Sequence, residues 1–524
     1  MREINTNKLI LFVEICILTS CNNMDSTDLT VAEIEEEINI NEKELKLPNH
    51  KSAKILRNVM LVIKQLVAML GFYVFTFCIA NNTSIIAEES RFETWQQGRP
   101  FTIGAMYYDG PYGPPAQLPA PEDAQPDMAL FRYAGLNMLD EVSWSMGGHE
   151  RYPGASAAQE ACIPFMILGA ALQEDSSEAM NAFQSHVMFM ATDPRWSGFC
   201  GVQLADEPRN PVNQANHRLQ RDWLVQTYPH LLTLICEVLT DYPTCEKEFE
   251  IIRPDAFIYQ WYPYYTSDTD SLDITPYMYA CLARASKFNQ ERGTGFFIAR
   301  GVTGPPKSDS LLRINTYAAL AYGCKGFMDF SWDSSDRYKQ TQLIPDPPDW
   351  GYVSYRRGKA SQTSHLEKMA RINREVANIG YALLELQHVR TYHLNLETKN
   401  YGAEFQYHIN DMKKDGLLTN RLTTVEGITN HLMVGFFHNT QGEEYFMVVN
   451  KRNTRAPHGD DTPLLEKVTL TFSDGVAVIQ RLNRRTGIVE DVSTEDHQYT
   501  FYLPGGTGEL FKYKSDKPFM AVED

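Results

Sequence analysis

The sequence predicts an α/β protein: a (β/α)8 TIM barrel followed by a small C-terminal antiparallel β-sandwich. Three observations carry this expectation. Between residues 101 and 332, apolar runs of five to eight residues alternate with longer amphipathic stretches, the pattern of β/α units on a parallel sheet. There are eight such runs, each followed by a helix-like segment, which is the repeat number of a closed barrel. Beyond about residue 388 the helical pattern stops, and apolar and polar residues alternate at period two between turn residues.

The elements follow in order. FTIGAMYY (101–108) is the first strand, and NMLDEVSW (137–144), after the helix-like DMALFRYAG, is the second. IPFMILGA (163–170), preceded by SAAQEA, is the third, and GFCGVQLA, after AMNAFQSHVMFMATDP, is the fourth. HRLQRDWLVQTYP leads to LLTLICEV (231–238), and TCEKEFEIIRPD to AFIYQWYP (256–263), the fifth and sixth. YMYACLARASKFNQERG precedes GFFIARGV (295–302), SLLRINTYAALAYGCKG precedes FMDFSW (327–332), and HLEKMARINREVANIGYALLE (365–385) closes the barrel. EYFMVVNKR, LEKVTLTFS, VAVIQRLN, GIVEDVS and YTFYLPGGTGELFKY supply the sandwich. The expected organisation is an export or anchor region with its linker over 1–95, the barrel over 96–387 and the sandwich over 388–524.

At 524 residues, 43% apolar and 22% charged, the chain is globular and long enough for two domains. Its formal net charge of −18 and lack of a Lys/Arg stripe argue against nucleic acid, whose phosphates demand neutralising cations. The nine cysteines show no CxxC pair and no Cys/His zinc spacing, so neither a metal site nor a disulfide framework is expected. Cys162, Cys200, Cys236 and Cys324 lie in or beside apolar runs and read as small buried hydrophobes.

Two export-like segments precede the barrel. The first ends in Leu18-Thr19-Ser20-Cys21, which resembles a lipobox with Cys21 as the acylated residue. The second begins with Lys51, Lys54, Arg57 and Lys64 and continues as LVAMLGFYVFTFCIA (66–80), fifteen residues that suit a signal-peptide core better than a span of about 20. Either Met60 is the true start, or the protein is a lipoprotein or carries a membrane tether. Both arrangements place the barrel outside the cytoplasm.

In such barrels the chemistry sits at the C-terminal ends of the strands. Strand one ends in Tyr107, Tyr108 and Asp109; strand two carries Asp140, Glu141 and Trp144. Strand four ends in Asp206 and Glu207, and strand five has Glu237. Strand six ends in Gln260, Trp261, Tyr262, Tyr264 and Tyr265; strand seven in Arg300; strand eight supplies Asp329, Trp332 and Asp333. Aromatics among acids and amides suit a sugar, whose C–H faces stack on rings while its hydroxyls need hydrogen bonds. Glycosidic cleavage further requires one proton-donating carboxyl and a second as nucleophile or base.

Glu207 is the expected general acid/base, with burial and the adjacent Asp206 charge raising its pKa. Asp206-Glu207-Pro208 is equally the composition of a strand-to-helix turn with a capping acid. Asp140 and Glu141 face opposite ways, so at most one reaches the mouth; Glu141 is taken as the substrate-binding member, beside Tyr107, Asp206, Gln260, Tyr262, Arg300 and Trp332. Trp261, Tyr262 and Trp332 also suit packing, and Arg300 also suits pairing with a structural carboxylate.

GVQLADEP, PDAFIYQWYPYY, LLRINTYAALAYGCKGFMDFSW and the terminal YLPGGTGELFKY together resemble the clan A glycoside hydrolases, among them the family 42 β-galactosidase-like barrels and their uncharacterised bacterial relatives. The resemblance covers most of residues 100–515. It implies a carbohydrate substrate, no metal or organic cofactor, an Asn-Glu at the strand-four tip with Glu as acid/base, and a Glu nucleophile at the end of strand seven. Glu207 matches the acid/base, and Asp206 stands in the Asn position. Strand seven departs from the pattern, offering Ala299, Arg300 and Gly301. Asp329 is therefore the expected second catalytic carboxylate, with Asp333 and Glu237 as alternatives. Arg300 in turn suits a substrate carboxylate or sulfate. The rival reading is a glycan-binding protein that kept the barrel and lost cleavage.

Overall fold

The computed structural model describes residues 90–108, 126–142, 152–168, 177–237, 242–260, 276–302, 307–335, 351–356, 359–394, 410–411, 421–454 and 464–520. The export segments lie outside them. Among the described residues no helix is long and apolar enough to cross a membrane.

Eight parallel strands close a barrel in sequence order: β1 (Thr102–Tyr108), β2 (Met138–Val142), β3 (Phe165–Leu168), β4 (Phe199–Asp206), β5 (Leu232–Glu237), β6 (Ala256–Gln260), β7 (Gly295–Ala299) and β8 (Gly326–Asp329). Six fall within their expected runs, while β4 ends one residue later, at Asp206, and β8 begins one residue earlier, at Gly326. Around them lie helices α2 (Met128–Tyr133), α3 (Pro153–Glu160), α4 (Ser177–Thr192), α5 (Pro211–Thr227), α6 (Tyr242–Ile252), α7 (Pro276–Arg292), α8 (Asp309–Ala321) and α9 (Ser364–Glu385). Helix α5 starts earlier than its apolar pattern suggests: the Asn210 side chain accepts the Val212 N–H at 2.9 Å, and Pro211 fits the first turn, where no backbone donor is needed.

The barrel reaches further toward the N-terminus than residue 96. Helix α1 (Arg91–Gln96) closes its N-terminal end: Phe92 meets the Phe297 ring at 5.7 Å, and the Trp95 indole donates to the Cys200 carbonyl at 2.9 Å. Above this floor the interior is filled by Met106, Met138, Met166, Leu234, Ile258 and Met328. Cys200, Cys236 and Cys324 are buried as expected, but Cys162 is exposed, because it lies in the turn that ends α3 with a left-handed φ of 53°.

A short sheet of β9 (Asp333–Ser335), β10 (Val353–Arg356) and β11 (Lys359–Gln362) follows β8. The C-terminal β-sandwich pairs two sheets. One has seven strands, including β12 (Gln387–His393), β15 (Leu432–His438), β16 (Glu444–Asn450) and β21 (Gly508–Tyr513); the other joins β14 (Leu422–Gly427), β17 (Glu466–Phe472) and β20 (Gln498–Leu503). Phe436, Phe446, Val448 and Phe511 face the smaller sheet, while Phe437, Tyr445, Met447 and Val449 pack with the barrel's helix layer. Burial on both faces explains why FMVV carries no polar alternation.

Helix α8 lies between barrel and sandwich, and residues 310–321 are all buried. At Gly506 (φ 71°) a Cβ would run into the Ser310 carbonyl oxygen and come within 2.7 Å of the Ile314 nitrogen. Gly506→Ala is therefore expected to cost about 1–3 kcal/mol, read as a lower thermal midpoint. An unchanged midpoint would mean that the sandwich docks more loosely than this contact implies.

Candidate active site

Side chains of a barrel strand point alternately into the barrel and toward the helices, and the register fixes which do which. Met106 of the interior pairs with Asp140, and Asp140 with Met166, so Asp140 points inward. Asp206 pairs with Cys236, and Cys236 with Ile258, which also face inward, as does Gln260 two residues further along β6. Gln203 pairs with Leu168 of the same interior set. Gln203 and Asp206 are three residues apart and would face opposite ways on a regular strand; the irregularity between Gln203 and Ala205 brings both inside.

Asp140, Gln203, Asp206, Cys236 and Gln260 thus converge in the barrel toward the C-terminal strand ends. Gln260 Nε2 donates to Asp206 Oδ1 at 2.6 Å and lies 2.9 Å from Cys236 Sγ. Burial, reinforced by the Glu207 charge and opposed by the Gln260 hydrogen bond, pushes the Asp206 carboxyl up to about 6. Asp140 is fully buried, and burial together with the Asp206 charge pushes it up to about 7. Neither Asp140 oxygen, nor Gln203 Oε1, has a hydrogen-bond partner among the described residues.

Glu207 stands one residue beyond the strand. Its N–H donates to the Cys236 carbonyl at 2.8 Å, extending the ladder, and its left-handed φ of 48° then turns the side chain out. Glu207 is exposed, with its carboxylate 3.0 Å from Arg209. The burial that the sequence assigned to Glu207 falls instead on Asp206, because the turn follows directly after the last inward position.

Several expected site residues face away from the mouth. Tyr107 pairs with Glu141, and both point outward onto α3: Glu141 accepts the Ala155 N–H at 2.7 Å and the Gly154 N–H at 3.3 Å, stabilising the positive end of that helix. Of the strand-two acids it is Asp140 that turns inward. Asp329 pairs with outward-facing Ala105, and Arg300 meets it there in the helix layer. Arg300 Nε and Nη2 reach the two Asp329 oxygens at 2.6 and 2.7 Å, Nη2 also donates to Asn373 Oδ1 at 2.8 Å, and the guanidinium lies 4.1 Å above the Phe327 ring. The Tyr352 hydroxyl donates to Asp329 as well. Burial alone would lower the Arg300 pKa, but the Asp329 charge outweighs it and holds the group above its ordinary value. Asp329 is thus a buried carboxylate held by Arg300 and Tyr352 on the helix side of the wall, away from the inward-facing acids, and Arg300 is turned with it out of the mouth.

Trp332, expected at the mouth, packs in the wall instead. It is fully buried, 5.0 Å from the Phe131 ring and stacked on Tyr352 at 5.6 Å. Glu237 follows inward-facing Cys236 and so points out toward α6, where burial and Glu248 push it up to about 10. The ligand atoms of Glu237, Cys245 and Glu248 lie within 4.8 Å of one another, so this buried trio is a cluster of potential metal ligands that sequence spacing did not reveal. Tyr262, with Trp261, Tyr264 and Tyr265, lies outside the described residues, and the Asp333 side chain is likewise not described.

Sequence reasoning did not single out Gln203, and on β2 it named Glu141 where the register turns Asp140 inward. MLDEV by itself does not pick the face, since Met138 on the side of Asp140 and Leu139 on the side of Glu141 are both apolar; the register puts Met138 in the interior and Leu139 on the helices.

No protein-family model matches the sequence, and no curated protein matches it either. Among solved structures, the chain is similar to an endo-beta-1,4-mannanase from Thermotoga petrophila, at 10% identity over 78% of this chain and 99% of that one, with a TM-score of 0.39. It is similar to an alpha-L-arabinofuranosidase from Thermotoga maritima at 10% identity, covering 79% and 97%, with a TM-score of 0.38. A third similarity is to a GH51 alpha-L-arabinofuranosidase from Thermotoga petrophila RKU-1, at 9% identity over 79% and 97%, with a TM-score of 0.39. Likenesses this distant carry no weight for activity, which has to be argued from the side chains.

Proposed function

We propose that this protein is an exported glycoside hydrolase that cleaves O-glycosidic bonds of an oligo- or polysaccharide with the carboxyl pair at the tip of β4. The observation that carries the reading is the contrast between two neighbours: Asp206, inward and pushed up to about 6, and Glu207, exposed beside Arg209. Glycosidic cleavage needs one carboxyl that delivers a proton to the leaving oxygen and a second, ionised one that attacks the anomeric carbon or activates a water there. Glu207 is the general acid/base that protonates the leaving glycosidic oxygen, and Asp206, ionised above about 6, is the carboxylate that takes the proton from the water attacking the anomeric carbon. The apolar segment 66–80 and its basic flank support export.

The test is turnover of a panel of aryl glycosides by the wild type, Glu207→Gln and Asp206→Asn. Each substitution is expected to lower kcat/KM by about 10²–10⁴-fold with the fold intact. Wild-type turnover that survives both changes would overturn the reading. One observation favours glycan binding without cleavage: inward-facing Ala299 occupies the end of β7, where the family resemblance puts a nucleophilic Glu. Glycan binding by a wild type that turns over no substrate would decide for that alternative.

A further inference from the structure

The charge that the barrel strands turn inward is one-sided. Among the described residues, the eight strands send Asp140 and Asp206 into the barrel but no lysine or arginine, since Arg300 is turned outward onto Asp329. Three acceptor oxygens there, both of Asp140 and Oε1 of Gln203, lack a partner although their residues are at most 1% exposed. Buried acceptors without donors are costly, and the charge of the partly exposed Asp206 beside the buried Asp140 adds repulsion to that cost. A sugar hydroxyl would satisfy an acceptor but leave the repulsion. A cation relieves both.

From this we infer that the mouth selects a sugar bearing a free amine, an unacylated amino sugar, whose ammonium group pairs with Asp206. The inference rests on the glycan reading above and deepens it. Asp206, the partly exposed member, makes the contact; the Gln260 amide holds its Oδ1 at 2.6 Å. Asp140, fully buried, acts through its charge, and Gln203 adds a neutral acceptor on the same strand as Asp206. This reverses the preference that the sequence suggests for Arg300: with the guanidinium in the helix layer, nothing on the strands favours an acidic sugar. Acylating the amine would remove the charge and most of the advantage.

The experiment is calorimetric titration at pH 7 with three probes: a β-1,4-linked glucosamine trisaccharide, its fully N-acetylated counterpart and cellotriose. The wild type should bind the glucosamine trimer about tenfold or more tightly than either other, and Asp206→Asn and Asp140→Asn should each erode that ratio. Equal affinity for the three would overturn the amine preference and leave the glycan reading standing. Calcium binding that is lost in Asp140→Asn, without any amine preference, would overturn it in favour of a metal ion. No binding of any trisaccharide together with no glycoside turnover would sink both readings. The wild-type comparison needs no variant, so a misfolded mutant cannot obscure it.

Discussion

Arg300→Met is expected to destabilise the protein by about 3–5 kcal/mol, because it leaves Asp329 buried, ionisable and without its cation. The guanidinium makes two short hydrogen bonds to Asp329 and others to Asn373 of α9 and Thr316 of α8, so one side chain ties β7 and β8 to both closing helices. Methionine keeps much of the volume over Phe327 but none of the donors. Chemical denaturation should show a lower midpoint at an unchanged slope. The double variant Arg300→Met/Asp329→Leu should recover much of the loss, since a buried ion pair is far more costly to halve than to replace. A single variant within about 0.5 kcal/mol of wild type would show that Asp329 is neutral or solvated there.

Asp140→Asn is expected to stabilise the protein at pH 8 and to have little effect at pH 4. The Asp140 pKa is about 7 in the fold, against an ordinary 3.8, so the native state holds this proton more tightly than the unfolded chain. Stability from that proton is fully present below about 4 and is lost as pH rises through about 7. The difference corresponds to roughly 4 kcal/mol at most, and Asp206, raised to about 6 mainly by burial, adds a smaller loss of the same sign. Thermal midpoints of wild type and Asp140→Asn should therefore diverge between pH 4 and pH 8. Parallel curves across that range would mean that Asp140 is reached by solvent or by a cation.

The barrel was legible because its signal is repetitive. Eight apolar runs with helical spacers leave few other topologies, and strand ends such as GFCGVQLAD and GFFIA fell close to their expected positions. The sandwich was legible for the same reason, except at FMVV, where contact with the barrel on one face and the second sheet on the other erased the alternation. The site was harder. Strand-end membership is written in the sequence, but the face each residue takes depends on a period of two counted through an irregularity, and a slip of one exchanges mouth for helix layer. On β2, β7 and β8, which pair regularly, the sequence still does not say which face turns inward, so Glu141 was preferred to Asp140, and Arg300, Asp329 and Trp332, which pack the wall, were named beside the mouth residues.

The sequence by itself determined the repeat number, the strand positions and the pair of acids at residues 206 and 207, because hydrophobic periodicity and local composition are properties of neighbours along the chain. Only the tertiary structure decided that Asp206 is buried while Glu207 turns out, that Asp140 lies inside and Glu141 caps a helix, and that Arg300 meets Asp329. Those outcomes depend on register between strands, on the extra residue between Gln203 and Ala205, and on the desolvation that closure of the barrel imposes, none of which is local to any stretch of sequence.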